Sequence, residues 1–179
     1  MGGISEASSW LGAPDKEALM AFVGAHVVFY RLVQTGKGKK SEKNAIQVIL
    51  LCKRTQDAPI HAGHWSLFGG KLQKKELPVK GLIREVEEEL EMNGAKINRI
   101  DMKNLCDVRI RRGQAMYSIR YFCSRLEVGM DGLRLKRNEE ESKVEGEGLG
   151  WFTAEEVQHL MMRPEDRIAV TNFFRKNGV

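Results

Sequence analysis

"GGKLQKKELPVKGLIREVEEEL", residues 69–90, decides how the rest of the chain is read. The protein is basic overall, with a formal net charge of +5, yet Glu85, Glu87, Glu88 and Glu89 crowd together within one short segment. Like charges at i,i+4 spacing repel and destabilise a helix. The segment still reads as a helix over residues 78–92. Pro78 is tolerated in a first turn, and Asn93-Gly94 offers a stop. On that helix Glu85, Glu88 and Glu89 share one face, Leu82, Ile83, Val86 and Leu90 turn toward the core, and Glu87 points elsewhere. Carboxylates gathered on one face are stabilised by a cation, and hard oxygen donors suit Mg²⁺, Mn²⁺ or Ca²⁺ rather than Zn²⁺. The competing reading is a solvated acidic face, with Arg84 and Glu88 as an i,i+4 ion pair.

The 179 residues predict one domain with short extensions. A hydrophobic content of 42% with 30% charged residues fits a globular protein with a sizeable core. No apolar run approaches 18 residues, which argues against a membrane span. Residues 1–20 read as a loose extension with neither a secretory signal nor a myristoylation pattern, since Glu6 stands where Ser or Thr is wanted. Cys52, Cys106 and Cys123 are odd in number and far apart, so no disulfide framework or zinc knuckle is indicated and a cytoplasmic setting is expected. The basic excess favours anionic partners without choosing among them.

Along the chain, Ala21–Val33 and Ala45–Cys52 read as buried strands, and 65–68 as a short strand entering Gly69-Gly70. Lys96–Val128 reads as mostly strand with a hairpin turn near Arg112-Gly113. "RLKRNEEESKVEGEG" reads as a charged loop and "LGWF" as a short strand. Thr153 with Glu156 forms a capping box opening a helix, and 163–176 reads as a last helix. Strands, helix, strands, helix make an α+β or mixed α/β domain with helices packed on a sheet.

Spacing then narrows the choice. Gly70 is followed after five residues by Glu76, and after seven more by Arg84-Glu85-Val86-Glu87-Glu88-Glu89. This resembles the box of the Nudix hydrolase (MutT-like) family, GX5EX7REUXEEXGU, where U is aliphatic. Six fixed identities at about one in 15 each coincide by chance at about 10⁻⁷ per starting position. Two positions depart. Glu91, followed by Met92, replaces the box's second Gly, and Phe68 stands where the family usually has Pro. The first departure is read as a moved helix end, with the helix running on to Asn93-Gly94 and Glu91 adding a nearby carboxylate. "GHWSLFGGKL" and "EGEGLGWFTAEEV" are also similar to Nudix domains, which places residues 21–177 in the domain.

The resemblance implies a Nudix fold, an α/β/α sandwich with a mixed β-sheet. It also implies a hydrolase that uses Mg²⁺ or Mn²⁺ to cleave a pyrophosphate bond in a nucleoside diphosphate linked to another moiety. Carried over residue by residue, Glu88 and Glu89 are metal ligands and Glu85 is a ligand or the base that activates water. Arg84 orients Glu85, the carbonyl of Gly69 or Gly70 completes the metal shell, and Glu76 ties the box loop to the helix. Many family members take a further acid from a loop near the C-terminal strand. Among Glu139, Glu140, Glu141, Glu145 and Glu147, Glu145 is the expected catalytic residue because Gly146 and Gly148 beside it permit close approach.

Secondary candidates for substrate contact are Arg109, Arg111 and Phe68. The competing readings are exposed hairpin arginines, with Arg112, and a core aromatic. Lys37, Lys39, Lys40 and Lys43 read as a solvated loop, His61 and His64 as loop or core histidines, and Trp65, Tyr117, Tyr121 and Phe122 as mostly core. Besides diphosphate hydrolysis, the sequence leaves two alternatives: clean-up of oxidised nucleoside triphosphates, and a non-catalytic nucleotide-binding module. The partner expected is a nucleotide-type small molecule. Nucleic acid would use the basic excess but lacks any recognisable RNA module. The oligomeric state is left open, a homodimer included.

Overall fold

The computed structural model describes residues 22–35, 45–93, 102–138, 143–144 and 146–179. The expected extension 1–20 and the lysine loop therefore lie outside the described residues. At the centre runs β1 (Phe22–Gln34), in which Ala25, Val27, Val28 and Phe29 are wholly buried. A strand buried on both faces carries a continuous apolar run rather than an alternating one. Its faces are covered by two hydrophobic clusters, one holding Leu82 and Val86 and the other Val170 and Phe173, and its edges are paired. β2 (Ala45–Arg54) pairs antiparallel on one edge, and β7 (Ala115–Arg125) pairs parallel on the other. β6 (Lys103–Arg112) joins β7 through the turn at Gly113, whose φ is +62°. β11 (Gly146–Phe152) completes the order β11-β2-β1-β7-β6. The short strands β3 (Trp65–Ser66) and β4 (Phe68–Lys71) attach to β2 and β1.

One helix, α1 (Pro78–Glu89), packs against β1 and β4. Pro78 occupies its first turn, and Leu82 and Val86 are wholly buried at i,i+4 spacing. Burial of two such side chains contributes about 1.5–3 kcal/mol each. On the opposite face lie α2 (Ala154–His159) and α3 (Pro164–Lys176). Their apolar residues Val157, Ala169, Val170 and Phe173 join Val28, Ile49 and Tyr121 in a second core. The result is the expected α/β/α sandwich with a mixed sheet. The capping box at Thr153 is formed as the sequence indicates, its side chain accepting from the Glu156 amide while Glu156 reaches back to the Thr153 amide.

Two expectations are corrected. The first helix does not run on to Asn93-Gly94. It ends at Glu89, and Leu90–Met92 forms a strand, β5, paired with β8 (Leu133–Leu135). The physical reason is period-two burial: Leu90 and Met92 are buried and Glu91 between them is exposed, opposite Arg134. Main-chain bonds from Lys136 N to the Glu89 carbonyl and from Asn93 N to the Gly132 carbonyl close the pairing. Glu91 thus takes an extended backbone open to any residue, and the missing box glycine needs no moved helix end. The second correction concerns "RLKRNEEESKVEGEG". It is not simply loop, because it contributes β8, the pair β9 (Arg137–Asn138) and β10 (Lys143–Val144), and the start of β11.

A buried polar knot fastens α3 to the sheet. Asp166, wholly buried, accepts from the Tyr121 hydroxyl at 2.9 Å and the Leu67 amide at 3.1 Å, with Arg163 Nε 3.8 Å away. Burial, then the charge of Asp166, pushes the Tyr121 hydroxyl far up, so it remains a donor. Removing one partner of such a group strands the others. Asp166→Ala is therefore expected to destabilise the fold by about 3 kcal/mol or more, and Tyr121→Phe by about 1–2 kcal/mol. Urea unfolding measures both, and equal small losses for the two variants would contradict the knot.

Candidate active site

The acidic segment is organised by one guanidinium. Arg84, in the middle of α1, donates through Nε and Nη2 to Glu76 at 3.1 and 3.0 Å, and through Nη1 to Glu85 at 2.8 Å. It also reaches Glu88 at 3.3 Å and the carbonyl of Lys71 at 3.2 Å. Hydrogen bonding to Glu76 above all raises the Arg84 pKa further. In turn the Arg84 bond, and then the Gln73 amide at 2.8 Å, hold the Glu76 carboxyl below the usual carboxylate range. Glu76 therefore ties the box loop to the helix, as its position implied. Gly81 makes room for this: a Cβ there would lie 2.4 Å from Leu72 and 2.8 Å from Glu76.

Two glycines bring the loop against the acids. Gly69 has φ +123° and its amide donates to Glu89 at 3.2 Å. A Cβ on it would stand 2.2 Å from the Ala25 carbonyl oxygen. Gly70 lies against Glu85, where a Cβ would come within 2.1 Å of Oε2. Gly69, Gly70, Glu85 and Glu89 all border one cavity of about 500 Å³. Glu88 lies beside them on α1, 59% exposed and outside the cavity lining. Glu87 is exposed too, and its carbonyl accepts from Lys136 Nζ at 2.7 Å. Among the described residues, no three His, Cys, Asp or Glu side chains are drawn together tightly enough to hold a metal by themselves. The donor set nevertheless fits Mg²⁺ or Mn²⁺. A hydrated ion of this kind takes one or two carboxylates plus substrate oxygens rather than a full protein cage, and Glu85 and Glu89 border the same space.

The remaining candidates separate clearly. Phe68 is a core residue, 1% exposed, tilted against Phe29 at 6.1 Å and outside the cavity lining. Arg109 and Arg111 are exposed, and it is Ile110 between them that borders the cavity. Of the aromatics, Tyr117 borders the cavity, whereas Tyr121 and Phe122 are core and Trp65 packs edge-on to Phe152. His61 and His64 face each other in the loop after β2. Glu145, Glu139, Glu140 and Glu141 lie outside the described residues. Glu147 is committed elsewhere, accepting from the Gln56 amide at 2.8 Å with Lys53 at 3.7 Å. Gly146 abuts Cys52, a hypothetical Cβ lying 2.3 Å from its sulfur.

Sequence reasoning missed four polar residues of the cavity: His26, Arg54, Lys71 and Arg163. His26 interrupts an apolar strand, a detectable signal. Nothing local marks Arg54 or Arg163, which reach the cavity only through the sheet pairing and the docking of α3. Burial pushes the His26 imidazole down to about 4 against the opposing pull of Asp166, so the ring is neutral at neutral pH.

A family model for the NUDIX domain matches residues 28–173. No curated protein matches the chain significantly in sequence. Among solved structures, a Caenorhabditis elegans Ap4A hydrolase binary complex is similar at 16% identity. The match covers 88% of this chain and 98% of that one, with a TM-score of 0.61. A MutT NUDIX hydrolase from Burkholderia pseudomallei shares 24% identity over 83% and 97%, TM-score 0.52. The NUDIX domain of Shewanella oneidensis NrtR, complexed with ADP ribose, shares 14% over 92% and 94%, TM-score 0.59. At these identities the structural likeness bears on the fold.

Two outcomes check the site. Gly70→Ala is expected to leave the fold intact but push Glu85 aside and lower kcat about tenfold or more, since a misplaced catalytic group costs this much. Gly69→Ala meets main chain and is expected to unfold or strongly destabilise the protein. The acid limb of stability has two parts. The depressed His26 pKa makes the unfolded state bind the extra proton, so stability falls as pH drops from about 6.5 to 4, by about 3 kcal/mol in all. The depressed Glu76 pKa contributes stability that is present above the unfolded carboxylate value, about 4.3, and lost below it. Urea unfolding across pH 7–3 should show both windows, and Glu76→Gln should remove only the lower one. The box spacing, the α1–Gly69-Gly70 junction and the match over most of the chain lead to one conclusion: this chain belongs to the NUDIX domain family, as a hydrolase acting on pyrophosphate bonds.

Proposed function

We propose that the protein cleaves the pyrophosphate bond of a nucleoside diphosphate linked to another moiety, using Mg²⁺ or Mn²⁺. The observation that carries this is the placement of Glu85 and Glu89 on the same cavity as the Gly69-Gly70 backbone and the cations Arg54 and Lys71. Carboxylates and cations lining one cavity suit a metal-bound polyphosphate, whose charge the cations match. When bound, the metal would neutralise phosphoryl charge and acidify a water molecule. Glu89, Glu85 and, beside them, Glu88 would hold it, with a carbonyl of Gly69 or Gly70. Arg84 fixes the Glu85 carboxylate at 2.8 Å and so sets its aim at the attacking water. Lys71 and Arg54 would bind the phosphate oxygens. Nearby solved structures bear on the choice of substrate only by analogy: one is named as an Ap4A hydrolase and another holds ADP ribose, both nucleoside diphosphate derivatives. Clean-up of oxidised nucleoside triphosphates is the narrower alternative. The binding-only alternative is disfavoured by the retention of Glu85, Glu88 and Glu89 together. Residues 1–20 are proposed to be an extension to a domain spanning 21–177, Glu145 an accessory acid, and the setting cytoplasmic. No helix among the described residues is long and apolar enough to cross a membrane.

A panel of nucleoside triphosphates, nucleotide sugars, dinucleoside polyphosphates and capped RNA, assayed with Mg²⁺ and with Mn²⁺, tests the reading. Chelation should abolish turnover, and either metal should restore it. Glu85→Gln and Glu89→Gln should each cost about 10² or more in kcat, as loss of a metal-facing carboxylate does. Glu88→Gln should cost less if its exposed position is retained with metal bound, and Glu87→Gln should change little. Full activity in excess chelator would overturn the proposal.

A further inference from the structure

The last turn of α1 carries Glu87, Glu88 and Glu89, and Leu90 then starts a strand. The final carbonyls of a helix have no partner within it. Here the Leu90 amide serves the Val86 carbonyl, and a single residue from far along the chain serves two others. The Lys136 amide donates to the Glu89 carbonyl at 2.8 Å, and the Lys136 ammonium donates to the Glu87 carbonyl at 2.7 Å. The two bonds straddle Glu88.

The backbone that makes them is itself fixed. In β8, Leu133 is buried opposite Met92 and Leu135 pairs with Leu90, which sets the main chain of Lys136 beside the helix end. From that base the side chain reaches along the turn and braces it. Glu89 is thereby tied at both ends, its carbonyl to Lys136 and its carboxylate to the Gly69 amide at 3.2 Å. Arg84 holds Glu85 at 2.8 Å and reaches Glu88 at 3.3 Å from one turn back. The charge and the bonds of Lys136 act on a metal with opposite signs. An ammonium at an acidic helix end repels a divalent cation, so its charge alone weakens metal binding. A brace on the main chain of Glu87 and Glu89 strengthens it, because carboxylates held in place are not reordered when the ion arrives.

We propose that Lys136 is a positioning residue: by bracing the last turn of α1 through two carbonyls it holds Glu88 and Glu89 in place for a divalent cation, and this placement outweighs the repulsion of its charge. This rests on the reading of those acids as metal-facing, but its test does not require turnover. Mn²⁺ is titrated into the full chain, and the free ion is followed by its electron paramagnetic resonance signal. Lys136→Met keeps an unbranched side chain and the main-chain bond but loses the ammonium. It is expected to weaken Mn²⁺ binding about tenfold, the low end of what loss of a supporting partner costs a metal site. Lys136→Arg, which restores a cationic donor, should bring the affinity to within about threefold of wild type. Lys136→Gln, whose amide falls short of the carbonyl, should behave as Lys136→Met does, and it carries the test if thermal melts show that the methionine variant does not fold. Arg134→Met removes a like charge from the same strand, opposite Glu91, and should not weaken binding. Unchanged or tighter Mn²⁺ binding in the folded Met or Gln variant, no recovery with Lys136→Arg, or equal weakening by Arg134→Met would each overturn the brace and leave the metal site standing. No saturable Mn²⁺ binding by the wild-type chain at millimolar concentration would overturn the metal reading, and the brace with it.

Discussion

Everything at the acidic end of this molecule depends on the sharing of one guanidinium. Arg84 binds Glu76 in the loop, Glu85 and Glu88 on its own helix, and the Lys71 carbonyl at the end of β4. A planar, permanently charged fork can satisfy several acceptors at once in fixed directions, which a lysine cannot. The consequence is mechanical as well as electrostatic. Loop, strand and helix are clamped at a single point, and the Glu85 carboxylate is held by a side chain that is itself held from the far side by Glu76.

The sheet supplies the rest of the geometry. β1 pairs with β4 so that His26 faces Gly69 and Ala25 faces Gly70 in register. That register brings the two glycines beneath α1, where their lack of side chains lets the helix carboxylates approach the main chain. The same strand carries His26 on to the other core, where it stacks on Tyr121 at 5.5 Å. One strand thus links the core beneath α1 to the core beneath α3.

Legibility in the sequence followed the range of the interactions. The local patterns were readable: β1 and β2 as apolar runs, the hairpin at Gly113, the Thr153 capping box, and the spacing from Gly70 to Glu89. Where pairing partners are far apart in the chain, the sequence misled. Leu90–Met92 looks like continued helix because Leu90 fits a helical stripe, yet it is drawn into a strand by residues 133–135, more than 40 positions away. Arg163 looks like ordinary helix punctuation before Pro164, and only the docking of α3 brings it to the cavity. Phe68 looks available for stacking because it precedes the glycine pair, but pleating turns it inward.

The early end of α1 has an electrostatic outcome of its own. Aligned peptide dipoles leave about half a negative charge at a helix C-terminus, and here Glu87, Glu88 and Glu89 fill a last turn that holds no basic residue, Arg84 reaching only Glu88 from one turn back. Lys136, reaching the Glu87 carbonyl from outside, is a partial counterweight. The protein therefore keeps a helix end at which its own backbone and side chains oppose each other. A divalent cation that binds native protein but not the unfolded chain would relieve both, and would draw the folding equilibrium with it. Stability foregone in the metal-free fold is, on this view, affinity held in reserve for the ion.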